Sequence, residues 1–242
     1  MSDSPGIIPT FGIKPGTVLG GYQVKKVLGR GYECEAYEGI EISTRVRRAL
    51  KFYRMRGIED WERVRHTAWF YQQLAPTGVV ALYHHLGSGF LPKTGEPVAM
   101  LVVELIKGVI LEKYVRRIKG RRLQREQQYL RLIASIAENV SRIHKIGFAA
   151  GDIENLENTI LTPTGRLVFI DIEPGQMGEP NRDYQNDIEE LLSLFDSMFS
   201  VRDQREVYVQ AKKIVENVLD RPIRRDSMKR VAIKLKNLLE AQ

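Results

Sequence analysis

The chain reads as an α+β protein of two lobes, the first rich in strands and the second helical. Three observations carry that reading. Short segments of alternating polar and apolar residues, broken by glycine, fill the stretch from Gly21 to Glu104. Beyond it, apolar residues recur at helical spacing. With 242 residues and 43% apolar content, the chain can bury one good core or two smaller ones.

In chain order, residues 1–19 carry prolines and glycines without periodicity, which predicts a tail or a strap against the first lobe. The segments YQVKKVLGR, CEAYEGI and VRRALKFYR predict three strands. Residues 58–75 place Trp61, Val64, Ala68, Phe70, Tyr71 and Leu74 largely on one helical stripe, which Pro76-Thr77-Gly78 stops. Two further strands, at 79–87 and 98–104, flank a Gly/Pro hairpin, GSGFLPKTGEP. The first lobe, 20–105, is therefore expected to hold a five-stranded antiparallel sheet and one helix. In the second, 106–242, apolar positions at 129, 130, 132, 133, 136, 140 and 143 predict a long amphipathic helix over 126–147, ended by Gly147. Helices are also expected over 184–200, 203–219 and 225–241, and no internal repeat is visible.

Composition narrows the function classes. No apolar run approaches the roughly eighteen residues that a membrane span needs, and the start does not read as a secretory signal. A single cysteine, Cys34, excludes an internal disulfide and any cysteine-based zinc cluster, so a reducing, cytoplasmic setting is expected. The formal net charge of +7 implies attraction to anions. Seven basic residues and no acid lie between Lys113 and Arg125. That stretch could recruit an acidic partner, an RNA or an anionic membrane, the plainer alternative being a solvated basic helix and turn. The four histidines are scattered, and none is assigned to a metal.

The chemistry concentrates in Ile143–Gly175. A helix end there gives way to a polar turn and then to a short apolar strand, Leu167-Val168-Phe169-Ile170, followed directly by Asp171. An acid in the turn, Asp152, an amide, Asn158, and the acid after the strand are expected to converge. Phosphate chemistry uses such a set. One carboxylate orients an attacking hydroxyl, while an amide and a second carboxylate hold the magnesium that neutralises the phosphates.

These motifs resemble the protein-kinase-like superfamily, in particular bacterial relatives of eukaryotic Ser/Thr kinases. The catalytic loop H-R-D-L-x-x-x-N is similar to Ala150-Gly151-Asp152-Ile153 with Asn158, and D-F-G is similar to Asp171-Ile172-Glu173. Gly29-Arg30-Gly31 resembles the glycine loop over the phosphates, and Arg48-Ala49-Leu50-Lys51 the strand whose lysine holds them. Ala99 to Ile106 resembles the strand and hinge that receive an adenine. The resemblance implies a two-lobed fold that binds ATP and Mg²⁺ and transfers the γ-phosphate to a hydroxyl, most simply a Ser/Thr of a protein. It implies catalytic roles for Asp152 and Lys51. Nucleotide contacts fall to Gly29, Gly31, Ala49, Lys51, Glu104 and Ile106, those at 104–106 through backbone groups. Metal contacts fall to Asn158 (or Asn155, if the loop is not lengthened), Asp171 and Glu173. Asp187 resembles the helix aspartate that braces the catalytic loop, and a helix-capping acid is the alternative.

Several positions depart from the family pattern. Thr67 stands where a glutamate pairs with the lysine, leaving Glu59 and Glu62 as substitutes or as solvated helix-start acids. Gly151 replaces the arginine of H-R-D, and the span from Asp171 to Asp187 is short and lacks A-P-E. These departures imply two alternatives to a protein kinase. One is a pseudokinase acting as a regulatory or scaffold module. The other is a small-molecule or lipid-sugar kinase, suggested by Gly151 and Glu173.

Overall fold

Two glycines start the first sheet. Gly20 and Gly21 both take left-handed backbone angles (φ 53° and 84°), the conformation that a tight two-residue hairpin turn demands. They join β1 (Val18–Leu19) to β2 (Tyr22–Arg30). The computed structural model describes residues 10–31, 33–172, 180–199 and 206–241. The next elements are β3 (Cys34–Glu41), β4 (Arg47–Arg54), α1 (Ile58–Leu74), β5 (Tyr83–Phe90) and β6 (Pro97–Glu104). The sheet has six strands in the order β1-β2-β3-β4-β6-β5, every neighbouring pair antiparallel.

This corrects the expected five strands. The added strand is β1, inside the stretch read as a tail, and its signal was the Gly-Gly pair. The strand expected over 79–87 instead runs Tyr83–Phe90, so the turn shrinks to 91–96. Gly87 and Gly89 do not break it, because bulky Met100 and Val98 face them across the ladder.

The chain divides into two compact units, one reaching Ala75 and resuming over Ala81–Ile106, the other formed by Pro76–Val80 and the chain from Lys107 onward. In the first unit, alternation along β4 sends Leu50 and Phe52 to one face. There they join Phe11, Ile13, Tyr22, Val24, Tyr37, Leu91, Val98, Met100 and Val102 in one apolar cluster. Phe11 and Ile13 come from the proline- and glycine-rich start. Buried Glu35 anchors that segment by accepting from the Phe11 N–H at 2.7 Å and the Thr10 hydroxyl at 3.0 Å. Helix α1 packs on β5 and β6 through a stripe that includes Val64, Ala68, Tyr71 and Leu74.

The second unit holds a three-stranded antiparallel sheet, β7 (Val109–Ile110), β8 (Thr159–Leu161) and β9 (Leu167–Phe169), in that order. Its helices are α2 (Leu111–Val115), α3 (Arg122–Lys145), α4 (Pro180–Met198), α5 (Glu206–Leu219) and α6 (Ser227–Glu240). Helix α4 starts earlier than expected because Pro180 is tolerated at a first helical position, where no N–H is needed. Ile133, Ile136, Ala137, Val140 and Ile143 form the fully buried stripe of α3, which packs most extensively against α6. At the edge of the small sheet the Phe169 N–H donates to Val79 O at 2.8 Å, which fixes the strand leading into Asp171.

Candidate functional site

Two carboxylates of α4 shape the loop that follows α3. Asp187 is fully buried and accepts from the backbone N–H groups of Ala150 and Gly151, each at 2.8 Å. His144 Nε2 donates to the same carboxylate at 2.7 Å, also fully buried. One helical turn on, Glu190 accepts from the Ile153 N–H at 2.7 Å. Asp187 is thus a loop brace, not a helix cap. Burial pushes the Glu190 carboxyl up to about 7 against the bond from Ile153, and the nearby Asp187 charge adds to the rise.

Between these anchors, Gly151 (φ 64°) and Asp152 (φ 51°) both adopt left-handed backbone. For a residue with a Cβ that conformation costs about 1–3 kcal/mol and persists only where its surroundings impose it. Two anchored N–H groups before Asp152 and one after impose it here, so Asp152 forms the apex of the loop. Its Oδ2 accepts from Asn158 Nδ2 at 2.5 Å and more distantly from Asn155 Nδ2 at 3.5 Å. Asn158 ends a short turn, Leu156–Asn158, and its carbonyl oxygen accepts from the Ile170 N–H at 2.8 Å. That bond sets Asp171, the next residue, beside the loop. Burial raises the Asp152 proton affinity above the ordinary carboxylate range; the asparagine bonds oppose the rise, and Asp171 and Glu154 reinforce it.

Asp152 and Asn158 are therefore bonded, with Asp171 near enough for its charge to act on Asp152. The Asn158 amide N–H₂ faces Asp152, and its other side-chain atom is an oxygen, a donor suited to a hard cation. Two acids close enough to raise a proton affinity repel each other, and a bound cation or proton would relieve that repulsion. Asn155 caps the short turn, accepting from the Glu157 N–H at 3.2 Å. Glu173 lies outside the described residues. Among those described, no group of three or more His, Cys, Asp or Glu forms a metal cage.

In the first unit, the strand register sets Gly29 opposite Ala36, Ala36 opposite Lys51, and Lys51 opposite Leu101. Ala49, paired with Val103, shares the Lys51 face two residues away. Lys51 is buried, and its ammonium lies 5.8 Å from the centre of the Tyr71 ring of α1, within cation–π reach. Thr67, which stands at the missing glutamate's position, and Glu62, one of its two proposed substitutes, both bond within α1. The Thr67 hydroxyl donates to Arg63 O at 3.1 Å within its own helix, and Glu62 pairs with Arg65 one turn on. Sequence reasoning counted Tyr71 only as core.

The glycine hairpin closes through the Gly31 N–H, which donates to Cys34 O at 2.9 Å. Neither Gly29 nor Gly31 has left-handed backbone, and among the described residues a Cβ built on either meets nothing closer than 3.9 Å. No contact among the described residues thus requires either glycine. At the end of β6 the Glu104 N–H is engaged by Leu82 O at 2.8 Å, so a contact from Glu104 falls to its carbonyl oxygen. Ile106 lies beyond the strand.

No family model matches the chain, and a search of curated proteins finds no significant match.

Proposed function

We propose that this chain has a divergent protein-kinase-like fold and is an ATP- and Mg²⁺-dependent phosphotransferase acting on a hydroxyl, most simply a Ser/Thr of a protein. The observation that carries the reading is the braced apex. Asp187 and Glu190 hold Asp152 in a conformation costly on its own, beside an amide and a second carboxylate. Strain of this kind clusters where geometry matters to function. The first unit adds support. Small residues Gly29, Ala36 and Ala49 surround buried Lys51, and no neighbour among the described residues explains the two loop glycines. Leu28, beside them, is 44% exposed and would cover a purine.

In this reading Asp152 orients the acceptor hydroxyl and takes its proton. Asn158 Oδ1 and Asp171 would hold Mg²⁺, which supplies charge neutralisation to the phosphates when bound; Mg²⁺ takes one or two carboxylates and completes its shell with phosphate and water. Lys51 would hold the α/β-phosphates, and the hairpin amides would approach the phosphates without a Cβ in the way. Glu104 O and Ile106 N–H would meet the adenine.

A second reading, a nucleotide-binding regulatory module without turnover, is favoured by α1. That helix sets an aromatic ring beside Lys51, while Thr67 and Glu62 bond within the helix. Thermal shift and ATP turnover with Mg·ATP separate the two. A shift with turnover that Asp152→Ala lowers by about 10²–10⁴-fold supports the first. A shift without turnover supports the second, and the absence of both shift and turnover overturns the nucleotide reading.

A further inference from the structure

A second feature of the helical unit owes nothing to the phosphate chemistry. Between the later turns of α3 and the first turns of α6 runs an open groove of about 630 Å³. Among the described residues, six basic side chains line it, Arg142, Lys145, Arg224, Arg225, Lys229 and Lys236, against two acids, Glu138 and Asp226. Both acids are already engaged. Glu138 accepts from Lys236 at 2.6 Å and Arg142 at 3.3 Å, which holds its carboxyl below the usual range, and Asp226 pairs with Arg230 at 3.5 Å. Arg225 donates to His144 O at 2.7 Å and to Lys145 O, closing the end of α3. That leaves Lys145, Arg224 and Lys229, all exposed, with no acidic partner among the described residues.

The groove also carries an apolar demand. Ile233 lines it and is 48% exposed, with Ala232 beside it. A free phosphate compound would satisfy the cations and leave Ile233 in water. A nucleic acid would find no aromatic side chain among the described lining residues on which to stack a base. A flat membrane surface does not enter a groove. A peptide with acids around an aliphatic side chain meets both demands, as amphipathic segments do in helix grooves.

We infer that the α3/α6 groove docks an acidic, amphipathic segment of a partner protein, whose carboxylates meet Lys145, Arg224 and Lys229 and whose aliphatic side chain covers Ile233. The test uses the full chain and a fluorescein-labelled peptide of about twelve residues with leucine at every third or fourth position among Glu and Asp. Fluorescence anisotropy is expected to show saturable binding that weakens from low to physiological salt. The Lys145→Glu/Arg224→Glu/Lys229→Glu variant should lose about tenfold or more, and Ile233→Ser several-fold. The Arg117→Glu/Lys119→Glu/Arg121→Glu variant, an equal charge change at the other basic stretch, should bind as wild type. Unchanged thermal melts would show that each variant is folded. The inference is overturned if wild type does not bind, or if the groove variant binds equally well. It is also overturned if a peptide of Glu alone or an RNA oligonucleotide binds as tightly through the same residues.

Discussion

Asp152 pays for its position twice, once in left-handed backbone and once in a half-buried carboxylate near the Asp171 charge. A residue retained under both penalties is expected to gain stability when they are relieved. Asp152→Asn keeps the shape, tolerates left-handed backbone and removes the like charge. We expect it to raise stability by about 1 kcal/mol, a rise in Tm of about 2–4 °C, while phosphotransfer falls by about 10²–10⁴-fold. Calorimetry and an ATP turnover assay check the pair, and a variant that is both less stable and fully active would contradict it. Glu190 makes a pH statement. Its folded proton affinity is raised from 4.5 to about 7, so folding takes up a proton between those values. The stability this group contributes is fully present below the ordinary value and is lost as pH rises towards about 7. Denaturation midpoints of wild type minus Glu190→Gln should therefore fall across that window, and parallel profiles would refute the assignment. At this scale the acids and the amide were legible, because a turn followed by a short strand returns the chain on itself. Glu190 was not. In the run Asp187-Ile188-Glu189-Glu190 nothing marks which acid faces the loop until the helix phase is fixed by packing.

At the level of elements, helix α4 acts as the template for the loop. Removing Asp187 as alanine strips the acceptor from His144 and from two backbone N–H groups at once, all of them buried or half-buried. The expected cost is about 3–5 kcal/mol, read by chemical denaturation, and a loss under about 1 kcal/mol would show that the brace is incidental. Glycines separate fold from function. A Cβ at Gly39 would fall 2.4 Å from Leu50 Cδ1 in a closed core, so Gly39→Ala should destabilise by about 1–3 kcal/mol. Gly29→Ala meets no neighbour, so its stability should stay within about 0.5 kcal/mol while Mg·ATP affinity falls. Loss of stability at Gly29 with unchanged affinity would return the hairpin to a structural role. Element type was readable from periodicity along most of the chain, since the strand and helix periods differ sharply. Boundaries were not, because Gly87, Gly89 and Pro180 are tolerated through pairing and helix-start effects that local composition does not express.

For the whole molecule, the division at Ile106 separates an antiparallel sheet with one helix from a helical unit carrying the acid-rich loop. None of the helices among the described residues is long and apolar enough to cross a membrane. The basic excess divides between the 113–125 stretch and the α3/α6 groove. Sequence order exposed only the first, because the groove's cations lie far apart in number and are gathered by helix packing. The central claim, that Asn158 and Asp171 hold a metal-bound nucleotide beside Asp152, is tested most directly by electron paramagnetic resonance of Mn²⁺ with ATP. Wild type is expected to broaden the Mn·ATP spectrum saturably, and Asp171→Asn and Asn158→Leu to weaken that effect at least about tenfold. A free Mn·ATP spectrum in the presence of folded wild type, or equal broadening by both variants, would contradict it.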